Sequence, residues 1–413
     1  MAIPFFSLDL KTKDLLNIIK NILISSNIDK EIESFDNALK KRYPNKYLTF
    51  LPSGRLGLFL SLKFLFNKND EIIFSSMSFP LYIKIAKQLG LKVRLVDVSL
   101  DDLNIDYTKI DSQINEKTKG IVVTHLFGNP CNIEEIKKIC IDKKLILIED
   151  CAQSFDSKVN NIETGNFGDV GIISTSLLKI PTTLSGGILI IKDKELHKKI
   201  NEWIKYNLSN NLYLKFKLLI KVILSILNSY PKLYSILSDK IFRSLKNYNP
   251  RIYRGILYSG MGMKEINFNP RERPNLSKYQ ISTGISQLSR CSAMTSTRKE
   301  YSQFFQEKFK DNNNIIVIND HFKKDWNHQY FVILIKKNFD EVYKELFNSG
   351  IHVMDENVWD CTKYNFEIEN KHKNFPNTKK VDGCLIRIQN NSLLTKKNIE
   401  LIAKKILDAS NKN

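Results

Sequence analysis

Apolar residues in the first half of the chain fall into short continuous runs, separated by stretches of helical periodicity. Tyr47–Leu51, Glu71–Phe74, Lys92–Val96, Gly120–Thr124 and Leu145–Ile148 read as strands. Leu56–Phe66, Tyr82–Leu89 and Ile133–Lys143 carry the spacing of amphipathic helices between them. Runs such as Leu145-Ile146-Leu147-Ile148 lack the polar alternation of a half-exposed sheet, so both faces must be covered. Strands alternating with helices predict a mostly parallel sheet with helices on both sides. Residues 13–41 read as helix with a polar face, and Lys278–Leu288 as a later helix. The tail alternates again, with strands at Tyr330–Lys336 and Leu385–Ile388 and helices at Asp340–Ser349 and Lys396–Leu407. It predicts a small α/β domain.

Residues 203–265 interrupt this rhythm with amphipathic helical character on either side of Pro231. From Leu212 to Lys246 they hold seven basic residues against the single acid Asp239. Two readings stay open for this stretch. Its apolar face packs on the protein or at a dimer contact with lysines facing water, or it lies in a membrane interface.

Composition narrows the classes. The 413 residues suffice for two domains, and 42% hydrophobic content builds a core. A net charge of +19 favours anionic partners such as phosphates, nucleotides or an acidic surface, or simply solvates a lysine-rich exterior. The six cysteines show neither CxxC pairs nor zinc spacing, so they read as free thiols of a reducing cytosol, and no metal is expected. The start lacks a signal-peptide pattern, and no run reaches transmembrane length. The chain is therefore expected to be cytoplasmic, at the inner face of the membrane if residues 212–246 bind it.

In such sheets ligands sit at the carboxyl ends of the strands. Leu145–Ile148 runs into Glu149-Asp150-Cys151-Ala152-Gln153. An acid at the tip of a buried strand needs a cationic partner, unless Asp150 merely caps a helix starting near Ala152. Lys179 follows Ile172-Ile173-Ser174 and precedes Gly186-Gly187; it could be a desolvated, nucleophilic amine or an ordinary loop lysine. Ser174 could offer its hydroxyl to a phosphate. Ser53-Gly54-Arg55-Leu56-Gly57 opens a helix with the small residues of a phosphate cradle. Phe79, just past a strand, could stack on a planar ring or belong to the core.

Taken together, SGRLGL, DEIIFSSMSFP, GIVVTHLFGNPCNIEEIKKIC, LILIEDCAQSFDS and TGNFGDVGIISTSLLKIPTTLSGGILI resemble the DegT/DnrJ-type family of sugar aminotransferases. Lys179 stands 29 positions after Asp150, close to the family's spacing. The resemblance covers nearly the whole chain outside 203–265. It implies a fold-type I α/β transferase with a mostly parallel seven-stranded sheet and a small C-terminal α/β domain. The expected division is 1–265 and 266–413. The implied cofactor is pyridoxal 5'-phosphate, joined to Lys179 as a Schiff base, with Asp150 at its ring nitrogen, Gln153 at the ring or its 3' oxygen and Phe79 stacked on the ring. Ser174, Gly54 and Arg55 are implied at its phosphate; His125 lies near without an assigned role. The implied reaction moves an amino group from an amino acid, with glutamate the expected donor, to a nucleotide- or lipid-linked keto-sugar, in a homodimer and in the service of surface glycan synthesis.

The chain departs from the family at three places. Ile173-Ser174-Thr175 replaces an aromatic-flanked serine, Leu184-Ser185-Gly186-Gly187 lacks an acid, and Arg273-Pro274-Asn275 stands where Asn-Tyr-Arg is usual. These leave room for a non-catalytic or regulatory protein on the same fold. Dehydration of a sugar is a further alternative, but the resemblance associates it with loss of the lysine, which is present. A nucleic-acid partner would explain the charge and none of the strand ends, so none is expected.

Overall fold

The computed structural model describes the chain apart from residues 1, 4–7, 24–27, 209–210, 250–251, 253–267, 273, 319–324, 354–358, 372–373, 392 and 413. Arg273 thus lies outside the described residues. The first part comprises α1 (Thr12–Leu23), α2 (Asp29–Lys40), β1 (Tyr47–Leu51), α3 (Gly54–Leu65), β2 (Glu71–Ser75), α4 (Pro80–Gln88), β3 (Lys92–Val96), β4 (Thr118–Thr124), α5 (Ile133–Asp142) and β5 (Ile146–Asp150). A short pair, β6 (Lys158–Val159) and β7 (Ile162–Glu163), precedes β8 (Val170–Ser174), β9 (Gly187–Ile191) and α6 (Lys194–Asn207). Then come α7 (Leu212–Ser229), α8 (Pro231–Leu237), α9 (Asp239–Tyr248), α10 (Lys278–Leu288) and α11 (Cys291–Phe309). The tail holds β10 (Ile315–Val317), β11 (Tyr330–Ile335), α12 (Phe339–Asn348), α13 (Pro376–Val381), β12 (Leu385–Gln389) and α14 (Lys396–Ser410).

The large sheet has seven strands in the order β1-β9-β8-β5-β4-β2-β3. Only β9 runs against the rest, antiparallel to both β1 and β8. Alternate residues of each strand enter different layers. Ile72, Phe74, Val122, Ile148 and Ile172 join the core under α3 and α4, whereas Ile73, Ile121, Val123 and Leu147 join that of α5. This two-sided demand is why the strands are apolar throughout. The tail forms a separate three-stranded antiparallel sheet, β10-β11-β12, whose core is closed by α11, α12 and α14.

Two segments cross between these bodies. Ile3 pairs with Ile351 and joins the tail's core. The α7–α9 excursion spans both: α7 packs on the large domain, while Asp239 accepts from His352 at 2.8 Å and from Arg243, which also reaches Asn348 O.

Arg42, after α2, is held between Asp156 and Glu163 at 2.7 and 2.6 Å, with its guanidinium over the Phe155 ring. Both carboxylates are buried. Arg42→Ala strands them, and a loss of roughly 3–5 kcal/mol of stability is expected in chemical denaturation at neutral pH. The deficit should shrink on acidification, because protonating Glu163, already pushed up by burial, removes the uncompensated charge.

Candidate active site

Strand register decides which side chains meet. Leu51 and Ser174 both lie opposite Gly187, and Thr124 and Ile172 flank Asp150 from its two sides. The carboxyl ends of β1, β4, β5 and β8 therefore converge on one edge, together with the start of β9.

At that edge the chain turns from β1 into α3. Ser53, in extended backbone, caps the helix by accepting from Leu56 N at 3.2 Å. The turn lies against its neighbours: a Cβ on Gly54 would meet Ser174 Cβ at 3.3 Å, and one on Gly187 would strike Gly54 N at 2.4 Å. Gly54 and the half-buried Ser174 are thus side by side at a helix start, where main-chain N–H groups favour an anion. Arg55 follows and acts electrostatically on Tyr82.

Asp150 is buried at the tip of β5. Its Oδ1 accepts from Tyr82 Oη at 3.2 Å and from Ala152 N at 3.0 Å, and its Oδ2 accepts from Thr124 Oγ1 at 3.2 Å. The Ala152 bond closes a local turn, not a helix cap; no helix follows. Burial pushes the carboxyl pKa up, against the Ala152 N–H, the Lys179 charge and the two hydroxyls. A carboxylate in this state gains from a cation, and the charged form of Lys179 would favour its ionisation.

Lys179 is half-buried in the loop between β8 and β9, with its backbone N–H bonded to Ser176 O. Desolvation pulls its amine below the usual lysine range, Tyr330 and Asp150 pull the other way, and Arg387 and Arg298 add to the lowering. An amine in that environment is readily deprotonated and nucleophilic. Phe79 ends the loop before α4, its ring edge-on to Tyr82 at 5.4 Å and tilted against Trp359 at 5.6 Å. Gln153 is buried, its Oε1 accepting from Phe127 N at 3.1 Å. All seven expected residues thus belong to one edge of the sheet or to the turns that leave it.

His125 and Glu149 form the layer beneath. Glu149 points away from Asp150, as neighbours on a strand must, and accepts from Gly165 N, Phe167 N and Gly168 N at 2.6–2.8 Å and from His125 Nε2 at 3.1 Å. His125 Nδ1 accepts from Cys131 N, so the ring proton sits on Nε2. Together with Cys151 this is the one grouping of metal-ligand type among the described residues. Glu149 is saturated by main-chain donors, so the grouping reads as a brace for the turn into β8. Gly128 completes it at φ +95°, where a Cβ would collide with Asn327 Oδ1 at 2.2 Å.

Sequence reasoning missed the residues the tail brings in. Gln329 donates to Leu178 O at 3.0 Å, next to Lys179. Tyr330 is buried, carries the Arg387 guanidinium over its ring at 4.5 Å, and meets Phe127 edge-on. Burial raises its phenol, but the charges of Lys179, Arg387 and Arg298 prevail and lower it. Tyr82 was missed as well, although its place in the predicted helix after Phe79 offered a signal.

The donor set fits pyridoxal 5'-phosphate. It offers a desolvated amine, a buried acid wanting a cation, an aromatic face and a helix start backed by a hydroxyl.

Comparison with known proteins agrees. The model of the DegT/DnrJ/EryC1/StrS aminotransferase family matches residues 10–214 and 260–407. GDP-4-keto-6-deoxy-D-mannose 3-dehydratase of Escherichia coli O55:H7 is 25% identical over 82% of this chain and 79% of its own. GDP-perosamine synthase of Escherichia coli O157:H7 is 30% identical over 47% of this chain, the match spanning 53% of that protein. Among solved structures, Helicobacter pylori PseC, an aminotransferase of pseudoaminic acid biosynthesis, aligns over 99% of both chains with a TM-score of 0.73 at 16% identity.

Proposed function

This chain belongs to the DegT/DnrJ/EryC1/StrS aminotransferase family, and we propose on that premise that it transfers an amino group from glutamate to a keto-sugar carried on a nucleoside diphosphate. The observation that carries the reading is a convergence at one sheet edge: buried Asp150 ends β5 beside β8, Ser174 at the end of β8 lies against the Gly54 turn, and the loop that follows carries Lys179. When bound, pyridoxal 5'-phosphate supplies a carbonyl that accepts amino groups and a protonated ring that draws electrons. Lys179 Nζ would anchor it and then move a proton to and from the substrate carbon that bears nitrogen. Asp150 would hold the ring nitrogen's positive charge, and Phe79 would cover a ring face. Gln153 would reach the ring or its 3' oxygen, and Gly54, Arg55 and Ser174 would bind the phosphate.

The names of relatives support the sugar, since several act on nucleotide-linked sugars. The positive balance of the chain suits a diphosphate carrier. A homodimer working in the cytoplasm, in surface glycan synthesis, completes the reading, with the division 1–265 and 266–413 separating cofactor binding from the tail. A second reading draws on the relatives named as 3-dehydratases; retention of Lys179 favours transamination.

The visible spectrum of purified, cofactor-loaded protein tests this. A yellow absorbance that glutamate discharges, and a 2-oxo acid restores, is the expected result, with ping-pong kinetics toward the keto-sugar. Colour that no amino acid discharges would reject transamination, and a product that has lost one hydroxyl oxygen and gained no nitrogen would select the dehydratase.

A further inference from the structure

Residues 215–259 fall between the two stretches that the family model matches, so the family at large does not account for α7 beyond its first turn. One side of α7 packs inward. Val222 is buried, and Leu218, Leu219 and Ile226 lie on a cluster that includes Leu177 and Leu184 of the loop carrying Lys179. The other side does not pack. Tyr213, Phe216, Ile220, Ile223, Leu224 and Leu227 are 42–70% exposed. On a helix these positions share one arc about 100° wide. Lys217 and Lys221, both exposed, border it. Beside α7, α1 contributes Ile18 and Leu15 to the same inner cluster and turns Leu16 and Ile19 outward, 63% and 55% exposed.

Two facts identify what covers this surface. First, it is basic: α7 carries Lys215, Lys217 and Lys221 with no acid, and α1 exposes Lys13 and Lys20 while its one acid, Asp14, is buried. A second copy of the chain meeting it face to face would oppose lysine rows to lysine rows, whereas an anionic lipid surface accepts the apolar arc and the lysines together. Second, α7 holds Lys215, Lys217 and Lys221, and no helix among the described residues is long and apolar enough to cross a membrane. The helix therefore suits the plane of the interface, with lysine stems reaching along it to phosphate groups. We infer that α7, with α1 beside it, docks the protein on the surface of an anionic bilayer. This goes beyond the proposed chemistry and does not depend on it.

The test is flotation of the full-length, cofactor-loaded protein with vesicles of phosphatidylcholine alone or mixed with phosphatidylglycerol. The protein should float with the mixed vesicles, less so at high salt. Phe216→Ser combined with Ile223→Ser should lower the partition coefficient by about tenfold or more. Lys217→Gln with Lys221→Gln should weaken binding to the mixed vesicles only. Because these side chains are exposed, circular dichroism and the glutamate-driven spectral change should be preserved, and the latter reads the chemistry separately. Absence of flotation with anionic vesicles, or equal flotation of the double serine variant, would overturn the inference. So would serine variants that split a dimer in light scattering while the parent ignores vesicles, which would assign the face to a second copy.

Discussion

Lys179→Ala should remove the yellow absorbance and reduce glutamate-driven turnover by roughly 10⁴-fold or more, since one substitution deletes both the covalent anchor and the proton carrier. Folding should survive, because the residue is only half-buried and the charged form of its amine is already disfavoured there by desolvation. Lys179→Arg separates the roles: it keeps a cation near Asp150 but supplies no nucleophile, and should be as inactive as alanine. The pH profile carries further information. Burial, Arg387 and Arg298 lower the amine pKa, so the alkaline-favoured limb of the half-reaction should fall below the usual lysine range. Arg387→Gln removes a repelling cation, favours the ammonium form and should move that limb to higher pH. A limb that stays in place would mean the tail's guanidinium does not tune the lysine.

Asp150→Asn should cost about 10²–10⁴ in turnover, because the neutral amide cannot hold a protonated ring nitrogen and the electron-drawing power of the cofactor falls. Stability should move the other way. Burial raises the carboxyl pKa in the folded state, so the ionised group opposes folding at neutral pH and opposes it less as pH drops toward protonation. The cofactor-free asparagine variant should therefore be at least as stable as the parent at pH 7. Activity lost with stability kept or gained marks a functional carboxylate. A loss of both would make Asp150 a structural acid like the partners of Arg42.

Tyr82 and Thr124 explain how such a charge is tolerated without cofactor. Each donates one hydroxyl at 3.2 Å, long for O–H to carboxylate, and Ala152 N adds a third bond. The carboxylate is held in place without being neutralised, which leaves room for a stronger cationic partner. Glu149, one residue earlier, shows the contrast: main-chain N–H groups at 2.6–2.8 Å saturate it and fix it as a brace. Two adjacent acids thus differ in what they can do because a strand sends neighbours to opposite faces.

Much of the candidate site could be proposed from the sequence because its members are local features. Gly54 and Arg55 open a helix, Asp150 and Ser174 end strands, and Lys179 sits in a glycine-rimmed loop, each within a few residues of its own signal. Apolar runs marked the strands for the same reason: a strand covered on both faces must be apolar at every position. The α7–α9 stretch was legible as amphipathic helix on either side of Pro231. Of the two readings left open for its apolar side, packing holds for Leu218, Leu219, Val222 and Ile226, while the adjoining arc stays exposed.

Local pattern by itself determined the strands and the helices between them and offered Lys179, Asp150, Ser174 and Gly54 as candidates, because periodicity and turn chemistry act over neighbouring residues. Tertiary structure alone decided that β9 runs backwards to bring Gly187 against Gly54, that Gln329 comes from beyond residue 328 to bond Leu178 while Tyr330 and Arg387 act on the lysine through their charges, and that one face of α7 stays exposed among the described residues. Those outcomes depend on which distant surfaces meet, and no spacing within a short segment encodes the partner across a sheet or a domain boundary.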